Sequence, residues 1–264
     1  GKKITQISEA RIELCIECGH CQAICPNVAI QVDKMKGQSF DPLVPLGIDE
    51  NQMLSLMKQR RSVRQYKKKP IPRVIIDQII EAARFAPTGT AQSSNGIIVV
   101  ESPETLKELS ELYYDLYKSL DKMLNNPVGR FLIKHRAGTR MMNTLKDFVI
   151  PGMRWYIKWY QEGKSNEILR DCPVLMLFHS HVDVPMADKN SLIAAFHSIF
   201  MAEILGIGTC FNDLIPIACN YIPKVKDILA LPKDHEVYAS LTMGYPKYKF
   251  KRAIPRQLAD VRYI

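Results

Sequence analysis

Four cysteines stand within one short run near the start of the chain, CIECGHCQAICP at 15–26. Cys15, Cys18, Cys21 and Cys25, closed by Pro26, have the spacing C-x2-C-x2-C-x3-C-P of bacterial iron–sulfur loops. A tight loop of this kind turns three thiolates onto one face of a 4Fe-4S cubane while backbone amides donate to its sulfides. Zinc sites usually take two separated ligand pairs, so an uninterrupted triplet suits zinc poorly. In two-cluster proteins the fourth cysteine of each run serves the other cluster. One run is present here, so three arrangements stay open: Cys25 closes a single cluster, it completes a second one, or the site is partly assembled. The continuation CPNVAIQV reads as the second half of a two-cluster repeat, and the chain begins without methionine, which predicts a natural start upstream of Gly1. His20, between ligands, is expected to be exposed rather than coordinating.

A second chemistry lies in the basic residues. The net charge is +9, and much of it falls in KQRRSVRQYKKK at 58–69 and KYKFKR at 247–252. Either run alone reads as a solvated face. Excess positive charge of this kind suits nucleic acid, an anionic cofactor or an acidic protein partner. Neither run interleaves aromatics for base stacking beyond Tyr66, Tyr248 and Phe250, which argues against nucleic acid. The other cysteines, Cys172, Cys210 and Cys219, stand in apolar surroundings and are expected to be buried thiols.

The elements that must position these groups follow from periodicity. Residues 30–50 carry prolines and glycines and read as a strand remnant followed by a linker. A helix is expected from Asn51 to the arginine run. Val74, Ile75, Ile76, Ile79, Ile80 and Ala83 predict a second helix, ending before Pro87. NGIIVVES at 95–102 reads as a strand, and Ser102-Pro103 as the cap of a helix with Leu106, Leu109, Tyr113, Leu116 and Leu120 on one face. Around MRWYIKWYQEG a helix pairs Trp155 with Trp159, as core or interface packing; residues 125–165 are also a candidate lid. CPVLMLFHS at 172–180 and EVYASLTMGYP at 236–246 predict strands. Residues 191–205 predict a helix apolar on nearly every side, ended by Gly206, hence central or at a dimer interface. The order implies an α+β fold, with a segment 1–45 carrying the cysteines and a domain over 46–264. The sequence shows neither a signal peptide nor an apolar stretch of membrane-spanning length, and a cytoplasmic protein is expected.

RRSVRQY (60–66), APTGT (86–90), LGIGTC (205–210) and GYPKYKFKR (244–252) occur in the order found in the nitroreductase family. Over about residues 50–256 the chain resembles that family, and its cysteine run resembles ferredoxin. The resemblance implies a central, mainly antiparallel sheet flanked by helices, and FMN held noncovalently at a homodimer interface. It further implies that Arg60 and Ser62 bind the FMN phosphate and ribityl chain, with Arg61 between them. Arg64 matches a basic residue near the pyrimidine edge, where positive charge stabilises reduced flavin. Pro87, Thr88 and Gly89 match the loop along the isoalloxazine, Gly208 and Thr209 the segment near N5, and Lys251 and Arg252 the pair completing the phosphate site. Two departures stand out. The usual asparagine of the flavin loop is Ala91, with its glutamine shifted to Gln92 or replaced by Ser93, and Phe211 and Asp213 narrow the substrate pocket.

The expectation is an FMN oxidoreductase passing electrons from iron–sulfur clusters, ferredoxin or NAD(P)H to a small organic acceptor such as a nitroaromatic or quinone. The alternatives are a dehalogenase or flavin-fragmenting enzyme of the same superfamily, or a non-enzymatic carrier docking an acidic redox partner.

Overall fold

The computed structural model describes residues 15–27, 29–45, 47–89, 95–257 and 260–264. The cysteine run enters a short helix, α1 (His20–Ile24), through Gly19, whose φ of 77° turns the chain where a side chain would strain it. Instead of the expected strand, the next segment makes only a 3-10 turn at Asp33–Met35. The Val32 amide donates to the Gln22 side chain at 2.9 Å, so this backbone is satisfied locally and not by a neighbouring strand.

Helix α2 (Glu50–Gln59) starts on a capping box in which Asp49 and Gln52 each accept the other's amide, at 2.8 and 3.0 Å. Helix α3 (Arg73–Arg84) buries Ile76, Ile79 and Ala83, as its spacing predicts. Strand β1 (Gly96–Val100) leads to α4 (Pro103–Leu124), capped by Ser102, which accepts the Thr105 amide. Tyr113, Tyr114 and Tyr117 are fully buried, so the packed face of α4 is wider than the leucine stripe alone predicts. Next come α5 (Pro127–Thr144), kinked at Gly138, a π turn at Leu145–Val149, and α6 (Ile150–Gln161). The chain closes through β2 (Val174–His181), α7 (Ala187–Ile204), β3 (Gly208–Phe211), α8 (Leu214–Tyr221), α9 (Pro223–Ile228) and β4 (His235–Gly244).

The strands form one antiparallel sheet in the order β1-β2-β4-β3. Alternation along β2 sends Leu175 and Leu177 into a core with α4, α6 and α8, and Val174, Met176 and Phe178 into a second core with α3 and α7. A strand covered on both faces favours a near-continuous apolar run, which Val174 to Phe178 supply and which made this one legible. Each such side chain contributes about 1.5–3 kcal/mol on burial. The fold is thus the α+β arrangement that the sequence implies. Cys172, Cys210 and Cys219 are buried, as expected.

Of the two roles expected for the Trp155–Trp159 pair, core packing is not met within this chain, where Trp155 is 58% exposed. Of the two placements expected for helix α7, the fully central one is not met either, since Leu192, Phe196 and Ile204 remain 43%, 43% and 66% exposed along one side. No helix among the described residues is long and apolar enough to cross a membrane.

Candidate functional site

The arginine run leaves the end of α2 with Arg60 in an extended conformation. From there it runs as an extra edge on the sheet. Ser62 bridges Thr209 in parallel, and the Val63 amide donates to the Thr209 carbonyl at 2.9 Å. Farther on, the Lys67 amide donates to the Tyr245 carbonyl at 2.8 Å, and the Lys247 amide to the Gln65 carbonyl at 3.0 Å. These bonds fix the first basic run beside the second.

Two glycines permit the contact. A Cβ on Gly208 would lie 2.7 Å from the Val63 side chain, and one on Gly244 would lie 2.8 Å from the Tyr66 ring. The Tyr66 hydroxyl then locks the segment, donating toward the Val63 carbonyl at 2.7 Å and the Thr242 carbonyl at 2.9 Å, with the Thr242 hydroxyl at 2.8 Å. Burial pushes its phenol well above the ordinary range, so it stays protonated.

The result is a cleft of about 620 Å³ between the two runs. Arg61, Lys251 and Arg252 line it together with Lys58, Lys67 and Lys249, against one carboxylate, Glu203. Arg61 donates through Nη1 to the Arg60 carbonyl at 2.8 Å, while its Nε is buried without a partner. A buried guanidinium donor without an acceptor is costly, and an anion in the cleft would satisfy it. Burial raises the Glu203 carboxyl above its ordinary range, with Arg60 and Arg61 pulling it down. The cation excess, the orphaned donor and the cleft's size fit a phosphate monoester.

Of the residues singled out from sequence, the cleft gathers Arg61, Lys251 and Arg252. Arg60, Ser62 and Arg64 do not line it. Successive side chains of an extended segment leave on opposite faces, and Arg61 and Val63 take the cleft side. Arg60 still stands close enough to act on Glu203. Gly208 and Thr209 are buried in β3, behind the run they anchor.

Pro87, Thr88 and Gly89 lie apart from this cleft, just beyond α3. The Gly89 amide donates to Asn190 Oδ1 of α7 at 3.0 Å. A Cβ on Gly89 would lie 2.7 Å from the Met186 sulfur. Ala91, Gln92 and Ser93 fall outside the described residues. Phe211 packs on Phe196, ring centres 5.4 Å apart, and Asp213 precedes α8 without a side-chain capping bond. Lys58 and Lys67 were present in the quoted run without an assigned role. Glu203 and Asn190 carried no sequence signal, since one polar residue on an apolar helix does not announce its neighbour.

Cys15 and Cys21 are exposed, Cys18 and Cys25 half-buried, and the Ala29 amide donates to Cys25 Sγ at 3.3 Å. Among the described residues no group of three or more His, Cys, Asp or Glu side chains is placed to hold a metal ion. The four thiols are therefore not gathered as a ligand set in this structure.

An antiparallel sheet between two helical layers, with a cation-lined cleft at its edge, defines the class as an α+β protein. Residues 57–245 match the model of the Nitroreductase family, and the chain belongs to that family of oxidoreductase enzymes. It is 23% identical over 199 residues to iodotyrosine deiodinase 1 of Rattus norvegicus, covering 72% of this chain and 61% of that protein. It is 24% identical over 188 residues to an NADH dehydrogenase of Thermus thermophilus, covering 71% of this chain and 83% of that one. Among solved structures it is similar to a nitroreductase with bound FMN from Bacteroides fragilis, with TM-score 0.61, 20% identity, and coverage of 81% and 99%. A nitroreductase with bound FMN from Desulfitobacterium hafniense gives TM-score 0.57, 16% identity, and coverage of 80% and 97%.

Proposed function

We propose that this chain is an FMN-dependent oxidoreductase acting on a small organic acceptor such as a nitroaromatic or quinone. One observation carries this: both basic runs meet in a single cleft, with a buried Arg61 donor that has no partner. Arg61, Lys251 and Arg252 grip the FMN phosphate there, while Arg60 and Ser62, on the opposite face of the same segment, would reach the ribityl chain or phosphate only from outside this cleft. Arg64 supplies positive charge toward the pyrimidine edge, and Pro87, Thr88 and Gly89 run along the ring, held to α7 by Asn190. Gly208 and Thr209 contribute the backbone that lets the arginine run approach. When bound, FMN takes two electrons from a donor such as ferredoxin or NAD(P)H and delivers them to the acceptor. The protein contributes binding, orientation and positive potential, so no side chain need act as a nucleophile.

The exposed apolar side of α7 supports a homodimer, since Leu192, Phe196 and Ile204 recur close to the helical period. The absence of a spanning helix among the described residues is compatible with a cytoplasmic, membrane-free protein. Residues 46–264 form the FMN domain on this view, and 1–45 an appended segment. The spacing of Cys15, Cys18, Cys21 and Cys25 supports one or two 4Fe-4S clusters on that segment, and the flavin role stands without them.

Titration of FMN into the purified chain, followed by its bleaching under NAD(P)H or reduced ferredoxin, tests the proposal. Stoichiometric uptake and bleaching are expected; a chain that takes up no flavin overturns it. The likeness to iodotyrosine deiodinase favours a second reading, reductive dehalogenation at the same flavin. The α5–α6 helices, with Phe131, Phe148 and Trp155 exposed, would form its lid. Halide release from a halophenol, against amine formation from a nitroaromatic, separates the two.

A further inference from the structure

A second cleft, of about 650 Å³, opens on another side of the KKKP segment that follows the arginine run. Its volume is within the range of small-molecule sites. One wall is a single face of α4, where Pro103, Leu106, Lys107 and Ser110 recur at helical spacing. The facing wall comes from Leu169, Cys172, Pro173 and Val174, which lead into β2. Tyr160 closes one end, its ring stacked on that of Tyr114 at 4.1 Å and 15°. The interior is therefore apolar and partly planar. At the polar corner Asn166 Nδ2 donates to Ser110 Oγ at 2.8 Å.

The rim is cationic. Lys67, Lys68, Lys69 and Lys107 stand against Glu101 and Asp171. Glu101 is engaged by Arg73 at 2.7 Å, and Lys68 acts on Asp171, whose carboxyl burial raises above its ordinary range. The Lys69 ammonium lies 4.4 Å from the centre of the Tyr245 ring. Lys67 and Lys107 thus have no ion-pair partner among the described residues, and each can meet an anion at the mouth.

We propose that this second cleft binds a small aromatic carboxylate, with the ring between α4 and the β2 approach and the carboxylate at Lys67 and Lys107. An inorganic anion would leave the apolar walls unfilled, and a neutral aromatic would leave the ammonium groups without a counterion. Capture is noncovalent, because burial holds the Cys172 thiol protonated, pushed up to about 12. The two clefts share Lys67, but Lys107, α4 and the β2 approach take no part in the first, so the site does not depend on the flavin reading.

Calorimetric titration of the FMN-saturated protein with 4-phenylbutyrate tests this, with 4-phenylbutanol as the neutral counterpart and inorganic phosphate as the compact anion. One saturable site per chain is expected for the carboxylate, with affinity about tenfold weaker for the alcohol. Lys107→Glu should weaken the carboxylate by a similar factor, and Leu106→Trp should abolish binding, with the flavin absorbance of each variant unchanged. Absence of saturable binding overturns the proposal, as does equal affinity for acid and alcohol. Displacement of the carboxylate by excess FMN or by phosphate also overturns it, as does full binding in Lys107→Glu, an exposed position that the fold tolerates. Should the chain take up no FMN, the same titration on the protein as isolated still decides the matter.

Discussion

The amide of Val63 donates to the carbonyl of Thr209 at 2.9 Å, across 146 positions of chain. That bond, with the Ser62–Thr209 bridge beside it, sets the first basic run against the sheet edge and brings it to the second. The anion cleft exists because of this seam.

Removing an anion donor should weaken flavin binding. Arg61→Ala and the double change Lys251→Ala/Arg252→Ala are each expected to raise the FMN dissociation constant by about ten- to a hundredfold, the scale of one or more charge-assisted contacts of about 1.5–3 kcal/mol. Quenching of flavin fluorescence on titration measures this. Binding should also weaken steeply with salt, as the attraction is screened.

Glu203 is the acid in that cleft, and its carboxyl is raised by burial. Protonation removes a negative charge facing the phosphate, so FMN affinity should rise as pH falls through the raised Glu203 titration. Glu203→Gln should bind FMN several-fold more tightly at neutral pH and lose that part of the pH dependence. Affinity profiles of the two proteins, measured side by side, check the sign.

The seam requires close backbone approach. Gly208→Ala places a Cβ 2.7 Å from Val63 and should destabilise the fold by about 1–3 kcal/mol through overpacking. Combining it with Val63→Ala should recover part of the loss. Thermal melts of both single changes and the double one read out the coupling.

Tyr66→Phe keeps the ring but removes the hydroxyl that reaches Val63 and Thr242. The expected cost is about 1–3 kcal/mol, because buried acceptors lose their donor. Denaturant midpoints give the figure, and FMN affinity should fall with it if the seam positions Arg61.

His179 and His235 stand with their Nδ1 atoms 2.9 Å apart, next to β1. Burial, then the neighbouring imidazole, lowers the His179 titration below its ordinary value. A group whose folded value is depressed binds fewer protons than the unfolded chain. Stability should therefore be complete above the ordinary histidine range near 6.5 and fall as pH drops through it toward the depressed folded value. Melting temperature against pH should show this slope, and His179→Gln should flatten it.

The sequence by itself determined the family pattern, five of the helices and the longer strands, but not α1, α5, α8 or α9. β2 was legible because its first five positions, Val174 to Phe178, are all apolar as burial on both faces requires, and Ser102-Pro103 because a cap and a first-turn proline are local signals. β3 was not, since GTCF is short and mixed, and its strand character comes from β4 beside it. Tertiary structure alone decided that Arg61, and not Arg60 or Ser62, shares a cleft with Lys251, Arg252 and Glu203. Which side of an extended segment faces a distant partner is set by register against that partner, and register is a property of two strands together.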